Sequence, residues 1–221
     1  MAYTMTHLAV AKEVNGRLGL AADLPSYFLG AISPDCVHER ENYHSDIKKR
    51  SHFVISEEPW GSVTNNIEWR THVLTSFGSY KDRPGFDFIA GYFIHILTDI
   101  CNNEKIWLPF KGARRTEEVY KLYADECLRV EYALYRRFPW SGEVLGLLSK
   151  GRGLKIRSRI EAHEAESFRD FILESLNFAP ETVDPQTVYM TVENNLEFIR
   201  TTADEIVCSL KNISGGEWVE C

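Results

Sequence analysis

His95 and Asp99 stand four residues apart in Gly91-Tyr92-Phe93-Ile94-His95-Ile96-Leu97-Thr98-Asp99, a stretch that is otherwise nearly all apolar. On a helix this spacing puts both side chains on one face, a turn apart, so the imidazole and the carboxylate can reach one ion together. Both are good zinc ligands, with bonds of about 2.0–2.2 Å. A carboxylate buried among apolar neighbours is strongly disfavoured unless its charge is answered. Asp99 therefore calls for a metal, another cation or several hydrogen bonds. An intrahelical His–Asp pair, or a core histidine bonded to a backbone carbonyl, satisfies the same spacing without metal.

Three further residues could join the pair. His7 sits beside the apolar stripe of the first helical segment, Asp35 follows a Ser33-Pro34 turn after a buried run, and His52 lies in Ser51-His52-Phe53. Each alone is ordinary, since Ser-Pro-Asp is common turn chemistry and single histidines usually serve packing or surface roles. His38, Glu39 and His44 share the loop with His52 and read as surface polar groups or as lid or substitute ligands. Asp125 or Glu126 could complete a second site, although solvated helix charge is the commoner role of such residues. The basic stretches Lys48-Lys49-Arg50, Lys111 to Arg115 and Lys150 to Arg159 could receive an anionic phosphate or be solvated loop charge.

Taken in order, Thr6-His7, Gly30-Ala31-Ile32-Ser33-Pro34-Asp35, Ser51-His52-Phe53 and Gly91-Tyr92-x-x-His95-x-x-x-Asp99 resemble the zinc-dependent phospholipase C family. The resemblance covers about the first half of the chain. It implies a compact helical bundle with metal at its centre. It also implies that Asp35, His52, His95 and Asp99 hold one zinc, that Asp99 can bridge to a second, and that His7 belongs to a neighbouring ion. Two features depart from the family. This chain begins Met1-Ala2-Tyr3 rather than with a ligating tryptophan, and His163 is the only histidine after the core helix.

A divalent ion with an open coordination position lowers the pKa of bound water to about 7 and polarises a phosphoryl oxygen. The expected function is metal-dependent hydrolysis of a phosphodiester, with one to three ions, zinc first and other divalent metals possible. His7, His52, His95 and Asp99 would hold metal, and Asp35 would be a ligand or the base that orients the attacking water. The expected partner is a small phosphodiester or a phospholipid head group. The alternative is a catalytically degenerate protein that keeps a structural zinc. The absence of a contiguous His-Asp doublet argues against a phosphohydrolase built on one.

These residues must be positioned by helices. Thr6 to Leu20 carries Leu8, Ala11, Val14 and Leu18 at helical spacing. Tyr27 to Ile32 is an apolar run, and residues 36 to 60 read as a long loop with short helical pieces. A loop of that length inside a compact domain is usually functional. Thr64 to Phe77, Phe86 to Cys101, Thr116 to Phe138, Gly142 to Leu148, Arg159 to Asn177 and Pro185 to about Lys211 read as helices. Phe86 to Cys101 is apolar almost all round, which places it mid-core. No strand alternation and no repeat is evident, so the fold class is all-α, one domain over residues 1–221.

Composition agrees. In 221 residues, 44 % are hydrophobic and 12 % aromatic, enough for a packed interior. The formal net charge of −7 disfavours binding to a nucleic acid duplex. No segment reads as a transmembrane span or a secretory signal. The five scattered cysteines, none in a CxxC pair, suit free thiols in a cytoplasmic protein.

Overall fold

The structure, a computed structural model, describes residues 3–113, 115–179 and 187–215. Among the described residues ten α-helices follow one another: α1 (Thr4–Leu18), α2 (Leu24–Gly30), α3 (Ser45–Ser51), α4 (Asn66–Tyr80), α5 (Phe86–Asn102), α6 (Leu108–Gly112), α7 (Glu117–Arg137), α8 (Ser141–Leu148), α9 (Ala162–Asn177) and α10 (Val192–Gly215). Among the described residues there is no strand, only an isolated bridge between Ile156 and Ile160. The all-α expectation holds. Pro185, the expected start of the last helix, lies outside the described residues; the helix itself begins at Val192.

α5 is the axis of the molecule. Every residue from Phe88 to Asn102 is buried, as its continuous apolar run requires. It packs against α1, α2, α4 and α10. One hydrophobic cluster extends from Met5 to Leu210 and draws on helices from α1 to α10.

The crossing of α2 and α5 depends on two glycines. A Cβ at Gly30 would overlap the carbonyl oxygen of Phe88, and one at Gly91 would overlap that of Tyr27. Without side chains there, the two backbones touch. Gly91, His95 and Asp99 follow one another at four-residue intervals on α5, so the contact at Gly91 sets the height of α2 above both chemical groups.

The loop after α2 is more ordered than its polarity suggests. A 3-10 helix spans Ser33–Glu39, with Pro34 in its first turn and the Ser33 hydroxyl donating to the Leu29 carbonyl at 2.6 Å. Arg40 then grips Glu164 of α9 through Nε and Nη2 at 2.6 and 2.7 Å. This bidentate pair fixes the far end of the turn that carries Asp35.

Past Asn102, α5 widens into a π-helical turn, Asn103–Trp107, that runs on into α6. Pro109 lacks the N–H that would close onto Lys105, which explains the widening just ahead of it. The turn holds the preceding loop: Asn103 Nδ2 donates to the Val63 carbonyl, and Trp107 Nε1 to that of Gly61, both at 2.8 Å.

Cys36, Cys101 and Cys127 are buried free thiols, whereas Cys208 is disulfide-bonded and departs from the expectation of free thiols. No helix among the described residues is long and apolar enough to cross a membrane.

Candidate metal centre

Four side chains from three chain segments converge over α5. Asp35, His52, His95 and Asp99 each offer a ligand atom, all within 4.8 Å of one another, and form a group that can hold a metal ion. His52 Nε2 lies 3.3 Å from Asp35 Oδ1 and 3.3 Å from Asp99 Oδ2. His95 Nε2 lies 3.8 Å from the first of these oxygens and 3.9 Å from the second.

The backbone fixes which nitrogen each histidine turns inward. His95 Nδ1 is 2.8 Å from the Ala31 carbonyl, an acceptor only, so the ring donates there and presents Nε2 to the group. His52 Nδ1 is 2.9 Å from the Ser51 hydroxyl and 3.0 Å from the Lys48 carbonyl, which turns its Nε2 inward as well. The His95 ring is thus locked in the tautomer whose lone pair faces the carboxylates, the arrangement usual for metal-ligating histidines.

The frame around His52 is equally specific. It caps α3, and its carbonyl accepts Trp69 Nε1–H at 2.8 Å, while the Ser51 carbonyl accepts the Tyr92 hydroxyl at 2.7 Å. Phe53, directly after it, has φ 58°, the left-handed region that a bulky residue adopts only under constraint.

His7 stands apart from the other four. Its ring stacks on that of His95, centroids 3.6 Å apart and 6° from parallel. Its Nε2 is 3.5 Å from Asp99 Oδ1, the oxygen opposite the one that His52 approaches. The five residues expected from the sequence therefore meet in one place, four around a common point and His7 on the far side of Asp99.

The buried atoms of the centre fit a cation. Neither nitrogen of His7 and neither carboxylate oxygen of Asp99 has a hydrogen-bond partner among the described residues. Two carboxylates and the inward nitrogen of His95 make a cluster rich in acceptors. Such a set is costly unless positive charge enters it. The electrostatics point the same way. Burial would raise the pKa of Asp35 and of Asp99, but Lys48 and the histidines outweigh it and hold both carboxyls below their ordinary range. Burial likewise pushes His7 and His95 down, keeping both rings neutral. For His52 burial is overcome by Asp35 and Asp99, which raise it.

A cavity of about 610 Å³ opens onto the group. Asp35, Asp99, His38 and Glu39 belong to its polar lining, and Trp60, Trp107, Tyr123 and Phe168 are among its aromatic walls. The side chain of Asp35 is 17 % exposed, against 2 % or less for His52, His95 and Asp99. Asp35 is therefore the edge of the group that a ligand would meet.

Other sequence candidates fall elsewhere. Glu126 accepts the backbone N–H groups of Val188, Tyr189 and Met190 at 2.7–3.0 Å, so it clamps the approach to α10 and is not part of the group; Asp125 is exposed. His44 is exposed and faces Asp46, and His72 packs near Phe53. Lys111 donates to the Gly61 carbonyl and the Ser62 hydroxyl, while Arg159 lies over Phe53. The site residue that sequence reasoning missed is Lys48. It is one helical turn before His52 on α3, a spacing that marks it as facing the same way, yet it reads as part of a solvated basic run. In the structure it is fully buried, with Nζ 2.8 Å from Asp35 Oδ1.

Fold and site together define an all-α protein with an interior carboxylate–imidazole group suited to a metal ion. Compared with family models, with curated proteins and with solved structures, the chain matches none.

Proposed function

We propose that this protein is a divalent-metal-dependent hydrolase of phosphodiesters, with Asp35, His52, His95 and Asp99 holding one ion, zinc by preference. The observation that carries the reading is the buried carboxylate–imidazole group, two of whose members, Asp35 and Asp99, line a cavity rich in aromatic side chains. Two nitrogens and two carboxylates are a donor set that suits zinc. When bound, such an ion supplies a Lewis acid for a phosphoryl oxygen and an activated water at neutral pH. His95 keeps its inward nitrogen unprotonated for it through the Ala31 carbonyl, and His52 turns Nε2 to the same point. Asp35, with its exposed edge, both holds the ion and orients the attacking water toward the cavity. Trp60, Trp107, Tyr123 and Phe168 exclude solvent and favour a phosphodiester that carries an apolar group. The resemblance to zinc-dependent phospholipases C supports the same reaction class.

A second reading keeps the ion but drops the chemistry: a binding protein with a closed, four-ligand structural zinc. The pairing of Lys48 with Asp35 favours it, because a fixed cation already engages the ligand nearest the cavity. Elemental analysis of the purified protein, with turnover of bis(p-nitrophenyl) phosphate before and after chelation, separates the two. Bound zinc with turnover that is lost on chelation and restored by zinc supports the hydrolase. Bound zinc without turnover supports the second reading, and absence of any divalent metal overturns both.

A further inference from the structure

Lys48 carries a charge into a place where charge is expensive. None of its surface is exposed, and its ammonium is cradled on three sides. Asp35 Oδ1 lies at 2.8 Å, His38 Nε2 at 2.9 Å, and the Trp60 ring centroid at 4.9 Å. His38 Nε2 is also 3.6 Å from Asp35 Oδ1. The shorter contact decides the tautomer: Lys48 donates to His38 Nε2, so this nitrogen carries no proton for the carboxylate. Asp35 Oδ1 is thus shared between the ammonium on one side and the inward nitrogens of His52 and His95 on the other.

We propose that Lys48 is a built-in cation of the centre, standing where an additional metal ion would otherwise engage Asp35 and limiting the Asp35 side to a single divalent ion. The inference rests on the metal-binding reading above. Its physical basis is charge balance in a buried volume. Asp35 and Asp99 bring two negative charges, and the Lys48 ammonium cancels one of them. One divalent ion then leaves the centre with a single positive charge. Another ion on the same side would leave three, uncompensated and a few ångströms apart, where repulsion is weakly screened. Lys48 is a positioning residue in this scheme. It acts through Asp35, holding the carboxylate and weakening its hold on the ion.

Lys48→Met tests this, since methionine keeps much of the length and apolar contact and removes the charge. Zinc per chain is measured by elemental analysis after dialysis, affinity by competition with a chromogenic chelator, and melting temperature with and without zinc. The expected result is that Lys48→Met binds its ion at least about ten-fold more tightly than the parent, or takes up one more ion. Its metal-free form melts lower, and zinc raises its melting temperature by more than it raises that of the parent. Lys48→Arg, which keeps the charge, retains the parent stoichiometry. Equal stoichiometry, affinity and zinc-induced shift in the parent and Lys48→Met would reduce Lys48 to packing and overturn the proposal. Should Lys48→Met fail to fold without metal, refolding with zinc is expected to rescue it, and failure of rescue counts against the proposal. If the parent binds no zinc and Lys48→Met binds one, Lys48 is the centre's cation and the hydrolase reading falls by itself. If neither binds zinc, both fall.

Discussion

His95 Nδ1 and the carbonyl oxygen of Ala31 lie 2.8 Å apart, joining positions 64 residues apart in the chain. This one bond ties the end of α2 to the middle of α5 and turns His95 Nε2 toward Asp35 and Asp99. It exists because Gly30 and Gly91 allow the two helices into backbone contact.

The glycine contact gives the first prediction. In Gly91→Ala the new methyl would overlap the Tyr27 carbonyl oxygen and press on the Ala31 amide. Helix backbone cannot give way as a flexible side chain does, so α2 must shift. A stability loss of about 3 kcal/mol is expected in chemical denaturation, at the upper end for overpacking. Zinc binding should weaken in the same variant, because Asp35 and Ala31 move with α2. An unchanged denaturation midpoint would show that α2 is not held as described.

Asp99 offers both oxygens to the centre, Oδ2 toward His52 and Oδ1 toward His7. Asp99→Asn keeps the shape and removes the charge. It is expected to abolish stoichiometric zinc, and with it any phosphodiester turnover. Stoichiometric zinc retained by this variant, measured by elemental analysis, would remove Asp99 from the ligand set.

Tyr92 and Trp69 hold the backbone beneath His52 through the Ser51 and His52 carbonyls. Tyr92→Phe leaves the Ser51 carbonyl without that donor inside the core. A loss of about 1 kcal/mol is expected. Weaker zinc binding should accompany it, since His52 loses part of its support. A double-mutant cycle with His52→Ala reads the coupling directly.

Glu126 carries no metal role in this structure, and the prediction is correspondingly different. Glu126→Gln should leave zinc content unchanged while hydrogen exchange accelerates at the Val188, Tyr189 and Met190 amides, which now donate to the carboxylate. Loss of metal in this variant would reopen it as a ligand.

Glu131 predicts a pH dependence. Its carboxylate oxygens accept from the Met5 amide in the first turn of α1 at 2.8 and 2.9 Å, in full burial. Burial raises its pKa from 4.5 to about 8, against the lowering effect of the Met5 hydrogen bond. Between those values the folded chain keeps a proton that the unfolded chain has released. Stability from this group is therefore fully present below about pH 4.5 and is lost as pH rises toward about 8. The slope approaches about 1.4 kcal/mol per pH unit. Urea denaturation across that range should show the decline in the parent and a flatter profile in Glu131→Gln. A parent profile with no more slope than that of the variant would refute the assignment.

The sequence by itself determined the long helices and the chemical pair at their centre, though not the short helices α2 and α6. Phe86 to Cys101 is apolar on every side, which forces a buried helix, and the interval between His95 and Asp99 is a local property of that helix. The loop from 36 to 60 was legible only as functional, because its order comes from partners far along the chain: Glu164 on Arg40, Tyr92 and Trp69 on the carbonyls of Ser51 and His52. Periodicity cannot show which of three adjacent basic residues turns inward. Lys48 does so, while Lys49 is half-buried and Arg50 exposed. Tertiary structure alone decided that Asp35, His52 and the α5 pair share one point, that His7 lies across Asp99 from it, and that a lysine stands among them. Those facts depend on how closely two helices approach, and that distance is set by contacts between residues that no local pattern connects.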